Sequence, residues 1–376
     1  VRRLTGGVRF LCDKNGVEIV DGTARFLSDR KLVVDTASGQ AEIDFEQAVI
    51  ATGSSPMPLA GFAIDGERII GSREALELER IPERLVVIGG GYIGLELGSV
   101  YAKLGARVAV VELLDRLAPD LDPEVGQALV CRLNELGIAL HLGHKAISFT
   151  PGEPSIVVAR GPEAEVRLEA DVVLVSTGRV ANSQGIGLEA IGVELDGRGW
   201  VKVNERMQTN VPGIYAIGDV VGGALLAHKA YQQAKVAAGV ICGEPAAFDN
   251  VAIPAVIYTD PEIAVSGLSE ADARARGHAV VTGSFPFKAS GRAMSLAATD
   301  GFVKVVADGE SRQLLGITAV GRGVSELIGE ATLALEMGAF LEDVGLTIHP
   351  HPTMSEALQE AVEAALGKAV HQLNRL

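Results

Sequence analysis

Two groups of residues in this chain have types and spacings that could do chemistry. The first is Gly89-x-Gly91-x-x-Gly94, which follows the apolar run Leu85-Val86-Val87-Ile88 and opens a helical pattern. Glu112 closes the next apolar run, at the distance of about 20 residues that a dinucleotide fingerprint requires. Gly89 permits a tight turn, Gly91 lets backbone approach a pyrophosphate, and Gly94 lets the helix pack against the strand. The helix N-terminus attracts the phosphates. A carboxylate at position 112 accepts both adenosine ribose hydroxyls and repels a 2′-phosphate, which favours NAD over NADP. The second group is His351 with Glu356. A histidine of ordinary pKa, near ~6.5, takes a thiol proton close to neutral pH, and a carboxylate partner orients it and raises its basicity. Two other readings compete here. Thr353-Met354-Ser355-Glu356 also spells a capping box, with Thr353 as N-cap and Glu356 three residues on. His349-x-His351 could begin a metal site, although no further ligand cluster lies nearby in the sequence.

The elements that must position these residues follow from periodicity. From Arg84 the texture is β-α-β: the strand 85–88, a helix with Ile93, Leu97, Val100 and Leu104 on one stripe, and the strand 108–112. A helix near 124–136 and a strand ending at Ser176-Thr177-Gly178 continue the pattern, which indicates a doubly wound parallel sheet. The first 45 residues predict short antiparallel strands, including Val17–Val20 and Leu32–Asp35. Ala48–Ala51 is a buried strand stopped by Thr52-Gly53-Ser54, an echo of the later Thr-Gly turn. The run Gly213–Asp219 adds a strand and turn, followed by a helix from about Leu225 to Cys242. Beyond residue 253 come strands near 263–265, 279–285, 302–306 and 315–320, then helices near 325–337 and 354–373. That order is an α+β arrangement.

Composition limits the function classes. A length of 376 residues predicts two or three domains. The net charge of −15 argues against a nucleic-acid partner, whose phosphates demand clustered Lys and Arg. The 45 glycines fit many tight turns and close backbone approaches. No apolar run nears the ~18 residues of a membrane span, and Val1–Gly7 has no signal-like apolar core. Cys12, Cys131 and Cys242 are scattered, as free thiols in a reducing compartment would be. The chain therefore reads as soluble and cytoplasmic.

Three motifs in one order make the resemblance specific: Gly89-Gly90-Gly91-Tyr92-Ile93-Gly94-Leu95-Glu96, Thr209–Asp219, and His351-Pro352-Thr353-Met354-Ser355-Glu356. Together they resemble the class I pyridine nucleotide–disulfide oxidoreductases over essentially the whole chain. The closest likeness is to the branch that passes electrons from dihydrolipoamide through a redox disulfide and FAD to NAD⁺. The resemblance implies FAD and NAD as cofactors and a homodimer. Its partners would be lipoyl groups, such as those of a 2-oxo acid dehydrogenase complex. It also implies incomplete FAD-binding architecture over 1–83 and 204–247, an NAD domain over 84–203 and an α+β dimerisation domain over 248–376.

By the same resemblance Gly89, Gly91, Tyr92, Ile93, Gly94, Glu96, Glu112 and Gly178 meet NAD. Gly22, Thr52, Gly53, Ser54 and Asp219 meet FAD, and the helix opening Leu225-Leu226-Ala227-His228 faces the flavin pyrimidine end. His351 with Glu356 would serve thiols in the partner's site. The family's N-terminal flavin fingerprint and its cysteine pair, four residues apart, correspond to sequence before Val1. These 376 residues alone are therefore expected to hold FAD weakly and to lack lipoamide turnover. Two alternatives remain at this point. One is another disulfide reductase, against which Glu112 disfavours the NADP-linked glutathione type and the C-terminus disfavours the mercuric type. The other is a non-catalytic NAD-binding or dimerisation module.

Overall fold

The computed structural model describes residues 2–119 and 121–374. The chain forms two compact units, one running up to Ser55 and resuming over Val180–Asp249, the other made of Pro56–Arg179 and the chain from Asn250 onward.

In the second unit, five parallel strands stand in the order 69–70, 172–175, 84–88, 107–111, 139–141. Arg84–Ile88 occupies the centre, and Leu85 to Ile88 are all buried, as a strand covered on both faces must be. The helix Tyr92–Lys103 leaves this strand through the glycine turn. Val125, Leu129 and Leu133 give the helix Pro123–Glu135 its buried stripe, and Pro123 fits the first helical position because its missing N–H would be unpaired there anyway.

The same unit contains a five-stranded antiparallel sheet ordered 255–257, 263–267, 314–320, 302–308, 280–286. Helices Val324–Glu336, Leu341–Leu346 and Glu356–Ala365 share its core, in which Phe285, Val305, Ile317, Leu358 and Val362 are buried. A buried lysine on this sheet, Lys304, draws three carboxylates: Glu270 at 2.7 Å, Asp122 at 2.9 Å and Glu124 at 3.4 Å. Burial works against its charge, but the three acids outweigh that and hold its pKa above the ordinary value. Asp122 and Glu124 open the helix 123–135, so this ion cluster joins the parallel sheet's layer to the antiparallel one.

The first unit is smaller in its regular parts. Three antiparallel strands, Thr23–Ser28, Lys31–Thr36 and Gly39–Asp44, form a meander. Ala48–Ile50 pairs in parallel with Ile214–Ala216, and the helix Ala227–Ile241 follows. The two Thr-Gly echoes thus close strands of two different sheets.

The structure corrects the sequence reading in four places. Arg2–Lys14 is a helix, where short strands were expected, and Val17–Val20 has no strand partner. Gly6 and Gly7 hide that helix from a propensity reading, since glycine is among the poorest helix formers. The last helix stops at Ala365, well short of 373, because the chain turns at Leu366-Gly367 with Gly367 at positive φ. Residues 56–83 contribute Ile69–Ile70 to the parallel sheet that was expected to begin only at 84. Residues 180–203 belong with the first unit, placing Leu188, Val193 and Val201 in a core with Ile50 and Ile214.

Gly283 shows what seats the last helix. A Cβ there would strike the Ala361 carbonyl and, at 2.8 Å, the Ala365 side chain. Gly283→Ala should therefore lower stability by about 1–3 kcal/mol, the usual cost of overpacking. Gly6 has nothing within 4 Å of that position, so Gly6→Ala should stabilise by roughly 0.5–1 kcal/mol through helix propensity. Denaturant midpoints of the two variants, moving in opposite directions, check the assignment.

Candidate active site

At the nucleotide turn each glycine has a different reason to be there. Gly89 sits at φ +108°, and a Cβ on it would meet the Ser176 carbonyl at 2.5 Å. At Gly94 a Cβ would collide with the Gly89 carbonyl, the Ser176 hydroxyl and Val87, so the helix rests directly on the strand. Around Gly91 there is nothing within 4 Å, and this residue caps the helix Tyr92–Lys103 without a side chain. That is open room beside a helix N-terminus, and it suits a pyrophosphate.

Glu112 stands at the end of the neighbouring strand with both oxygens on backbone: Oε2 accepts from Gly90 N at 2.5 Å and Oε1 from Leu114 N at 2.7 Å. Each carboxylate oxygen can accept a second bond, so the fixed group keeps capacity for ribose hydroxyls. Tyr92 is exposed beside the turn and Ile93 is half-buried. Gly178, at φ +133°, accepts from Met57 N at 2.9 Å. Glu96 turns toward the antiparallel sheet's leading loop, where it accepts from Tyr258 N at 2.8 Å. Burial pushes its carboxyl pKa up despite that bond.

Sequence reasoning passed over Ser176. Its hydroxyl donates to the Ile88 and Gly89 carbonyls, both at 3.1 Å, and ties the two turns together. The Ser176-Thr177-Gly178 string that ends its strand, an echo of Thr52-Gly53, was the available signal.

The first unit holds the second cluster. Ser54 Oγ donates to Asp219 Oδ2 at 2.5 Å, so two turns distant in sequence meet. Gly53 is at φ +73° with open space around it. Asn182, also missed, pins this turn: Thr52 Oγ1 donates to its carbonyl at 2.7 Å, its Nδ2 donates to Thr52 O at 2.9 Å, and its N–H reaches Gly53 O at 3.0 Å. Asp219 lies in the short 3-10 turn Gly218–Val221. Leu225 and Leu226 are half-buried and lead into the helix at Ala227 and His228, both exposed. Leu226 caps that helix and has no side-chain acceptor to offer its first N–H groups.

Beneath the turn, Lys229 Nζ donates to the Gly222 carbonyl at 2.5 Å and to the Gly218 carbonyl at 3.3 Å. Gln233 Oε1 accepts from Gly218 N at 2.8 Å. Gly22 has a structural reason of its own: a Cβ would meet the Asp35 carbonyl at 2.5 Å and Val34 at 2.6 Å.

The third cluster is His351 with Glu356. Nδ1 of the exposed imidazole lies 2.8 Å from Glu356 Oε1. Glu356 Oε2 accepts from Thr353 N at 2.7 Å, so one carboxylate serves both the histidine and the loop backbone. Thr353 Oγ1 donates to Pro350 O at 2.7 Å, and the helix starts at Glu356 after Ser355. The capping box is therefore half-made: the glutamate reaches back, but the threonine does not cap. Burial opposes the Glu356 charge, yet the Thr353 N–H, His351 and His371 outweigh it and hold the carboxyl below its ordinary pKa. An ionised carboxylate only accepts, so Nδ1 carries the proton and Nε2 is the basic nitrogen. His349 points elsewhere, with its ring nitrogens on Thr347 O at 2.9 Å and Glu330 Oε1 at 2.8 Å.

Residues 1–234 match the model of the pyridine nucleotide-disulphide oxidoreductases, and residues 253–362 match the dimerisation domain of the same family. The chain belongs to the pyridine nucleotide-disulphide oxidoreductase family. Within that family it is 47% identical over 380 residues to the dihydrolipoyl dehydrogenase of Halobacterium salinarum, covering 100% of this chain and 80% of that protein. The corresponding enzyme of Thermus scotoductus is 46% identical over 380 residues, with 100% and 81% covered. Among solved structures of the family's fold, the HOCl-induced flavoprotein disulfide reductase RclA from Escherichia coli superposes with a TM-score of 0.85 at 25% identity, covering 96% of this chain and 84% of that one. The match to the family's dimerisation domain supports a homodimer. Among the described residues no helix is long and apolar enough to cross a membrane.

Two predictions test these placements. Glu112→Arg should weaken NADH binding by roughly tenfold or more, the worth of a lost charged hydrogen bond, and strengthen NADPH binding. Fluorescence titration with both nucleotides reads the switch, and an unchanged preference would remove Glu112 from the site. For Glu356, a depressed folded pKa means that its contribution to stability is present above the ordinary 4.5 and is lost as pH falls through the folded value. Glu356→Gln should thus lower Tm at neutral pH, and the gap to the parent should close only on acidification below 4.5.

Proposed function

We propose that this chain carries the NAD-binding, flavin-facing and acid–base parts of a dihydrolipoyl dehydrogenase, which oxidises dihydrolipoamide and reduces NAD⁺ with FAD as intermediary. The observation that carries the reading is the His351–Glu356 pair at 2.8 Å, within a family defined by pyridine nucleotide and disulphide chemistry. The identity of 47% to a dihydrolipoyl dehydrogenase supports the choice of branch.

The nucleotide turn fits NAD. The open face at Gly91 with the helix N-terminus would hold the pyrophosphate, and Glu112 the adenosine ribose; Tyr92, Ile93, Glu96 and Gly178 are the further candidates for contact with NAD. The first unit fits the ribityl and pyrimidine end of FAD: Thr52, Gly53, Ser54 and Asp219 would meet its ribityl part. The opening 225–228 would meet its pyrimidine end, where a helix N-terminus favours negative charge. Bound flavin supplies the two-electron exchange between thiols and nicotinamide.

The protein's own contribution is proton handling. Glu356 holds His351 with Nδ1 protonated, and Nε2 takes a proton from a substrate thiol, leaving the more reactive thiolate. The imidazolium formed is stabilised by the same carboxylate. The exposed imidazole suits a large lipoyl carrier, including the lipoyl groups of a 2-oxo acid dehydrogenase complex. The residues from 250 onward would form the dimer interface, and the free Cys12, Cys131 and Cys242 support a reducing, cytoplasmic setting.

In the holoenzyme, His351→Gln should cut NAD-linked dihydrolipoamide oxidation by about 10²–10⁴-fold, the usual worth of a general base. NADH affinity should stay unchanged. Full turnover in that variant would overturn the assignment.

A further inference from the structure

The helix Ala227–Ile241 buries two polar side chains one turn apart, Lys229 and Gln233, each with 4% of its surface exposed. Both point at the same short stretch of backbone. Lys229 bridges the carbonyls of Gly218 and Gly222, which bracket the Asp219 turn, and Gln233 takes the N–H of Gly218. The turn thus has its first N–H, its first carbonyl and its closing carbonyl held from below by one helix. Gly218 and Gly222 are at φ +76° and +73°, backbone that few other residues tolerate and that needs outside support.

A neutral side chain would fill this space at far lower desolvation cost, because an ammonium is expensive to bury. Burial indeed draws the Lys229 pKa down, and the Asp219 charge works against that. Two carbonyls and a nearby carboxylate make the buried cation tolerable. Holding the backbone alone would not need the charge, since Gln233 does part of that work without one.

We propose that Lys229 is a positioning residue for the flavin end of the site: it clamps the turn that presents Asp219 and places a fixed positive charge behind it. The proposal rests on the reading that Asp219 and the helix opening at Leu225 face FAD. Reduced flavin carries a negative charge, so a fixed cation behind Asp219 favours the reduced over the oxidised cofactor. Gln233 supplies shape without charge and separates the two effects.

The test compares the flavin-loaded protein with its Lys229→Met and Gln233→Leu variants, reading FAD affinity by fluorescence and midpoint potential by dye equilibration. Both variants should bind FAD more weakly. Only Lys229→Met should shift the equilibrium toward oxidised flavin, by about tenfold, which is about 30 mV for a two-electron couple. An unshifted potential in Lys229→Met, or an equal shift in Gln233→Leu, overturns the role of the charge. Should Lys229→Met lose flavin altogether, Lys229→Arg decides: retained flavin at the parent potential supports the proposal, and loss in both overturns it. An unsubstituted full-length protein that takes up no FAD overturns the flavin reading and this proposal together. Normal FAD uptake with indifferent Lys229 variants overturns the proposal alone.

Discussion

The nucleotide half of this protein depends on one position that must carry no side chain. Where Gly94 faces the Gly89 carbonyl, the Val87 side chain and the Ser176 hydroxyl, the first turn of a helix lies against the strand and its glycine turn with no room for a methyl group. That approach sets the height of the helix above the parallel sheet and hence where its N-terminus emerges. The same turn presents the Gly90 N–H to Glu112. One turn on, a Cβ at Gly98 would make ordinary contact with Val87 and Val108, so the tight seating is local to the first turn. A side chain at Gly94 would move the N–H groups of the turn, the acid on the neighbouring strand and the helix axis at once.

Buried charge organises much of the rest. Lys304, with 7% of its side chain exposed, gathers carboxylates from the start of one helix and from the helix Glu270–Ala275. Its approach to Asp122 is close but off the hydrogen-bond direction, leaving Asp122 Oδ2 without a directed donor. The attraction there is that of two ions. Such clusters add little net stability over apolar packing, yet losing one member leaves the others stranded, which makes the arrangement specific. Lys229 works on a smaller scale, spending its charge on two carbonyls.

The parts of the fold that were legible in the sequence are those where local pattern and burial agree. Leu85-Val86-Val87-Ile88, the glycine turn and Glu112 lie within one strand–helix–strand unit, so their geometry follows from short-range rules. The His351–Glu356 pair was legible for the same reason, five residues apart around one bend. What escaped depends on distance or on exposure. Asn182 and Thr52 are joined across 130 positions, and no periodicity records such a bond. Lys229 sits on an otherwise ordinary helix face, and its burial is visible only once the Gly218–Gly222 turn is folded over it. The helix Arg2–Lys14 was missed because its apolar residues, Leu4, Val8 and Leu11, are largely exposed and its glycines argue against it.

Glu356 has a place in two circuits, one oxygen on the imidazole and the other on the Thr353 N–H. Its loss removes the partner of the His351 ring and the acceptor of a backbone donor in one step. A single substitution there is therefore felt by the ring and by the bend together, because the imidazole and the loop backbone share one anchor.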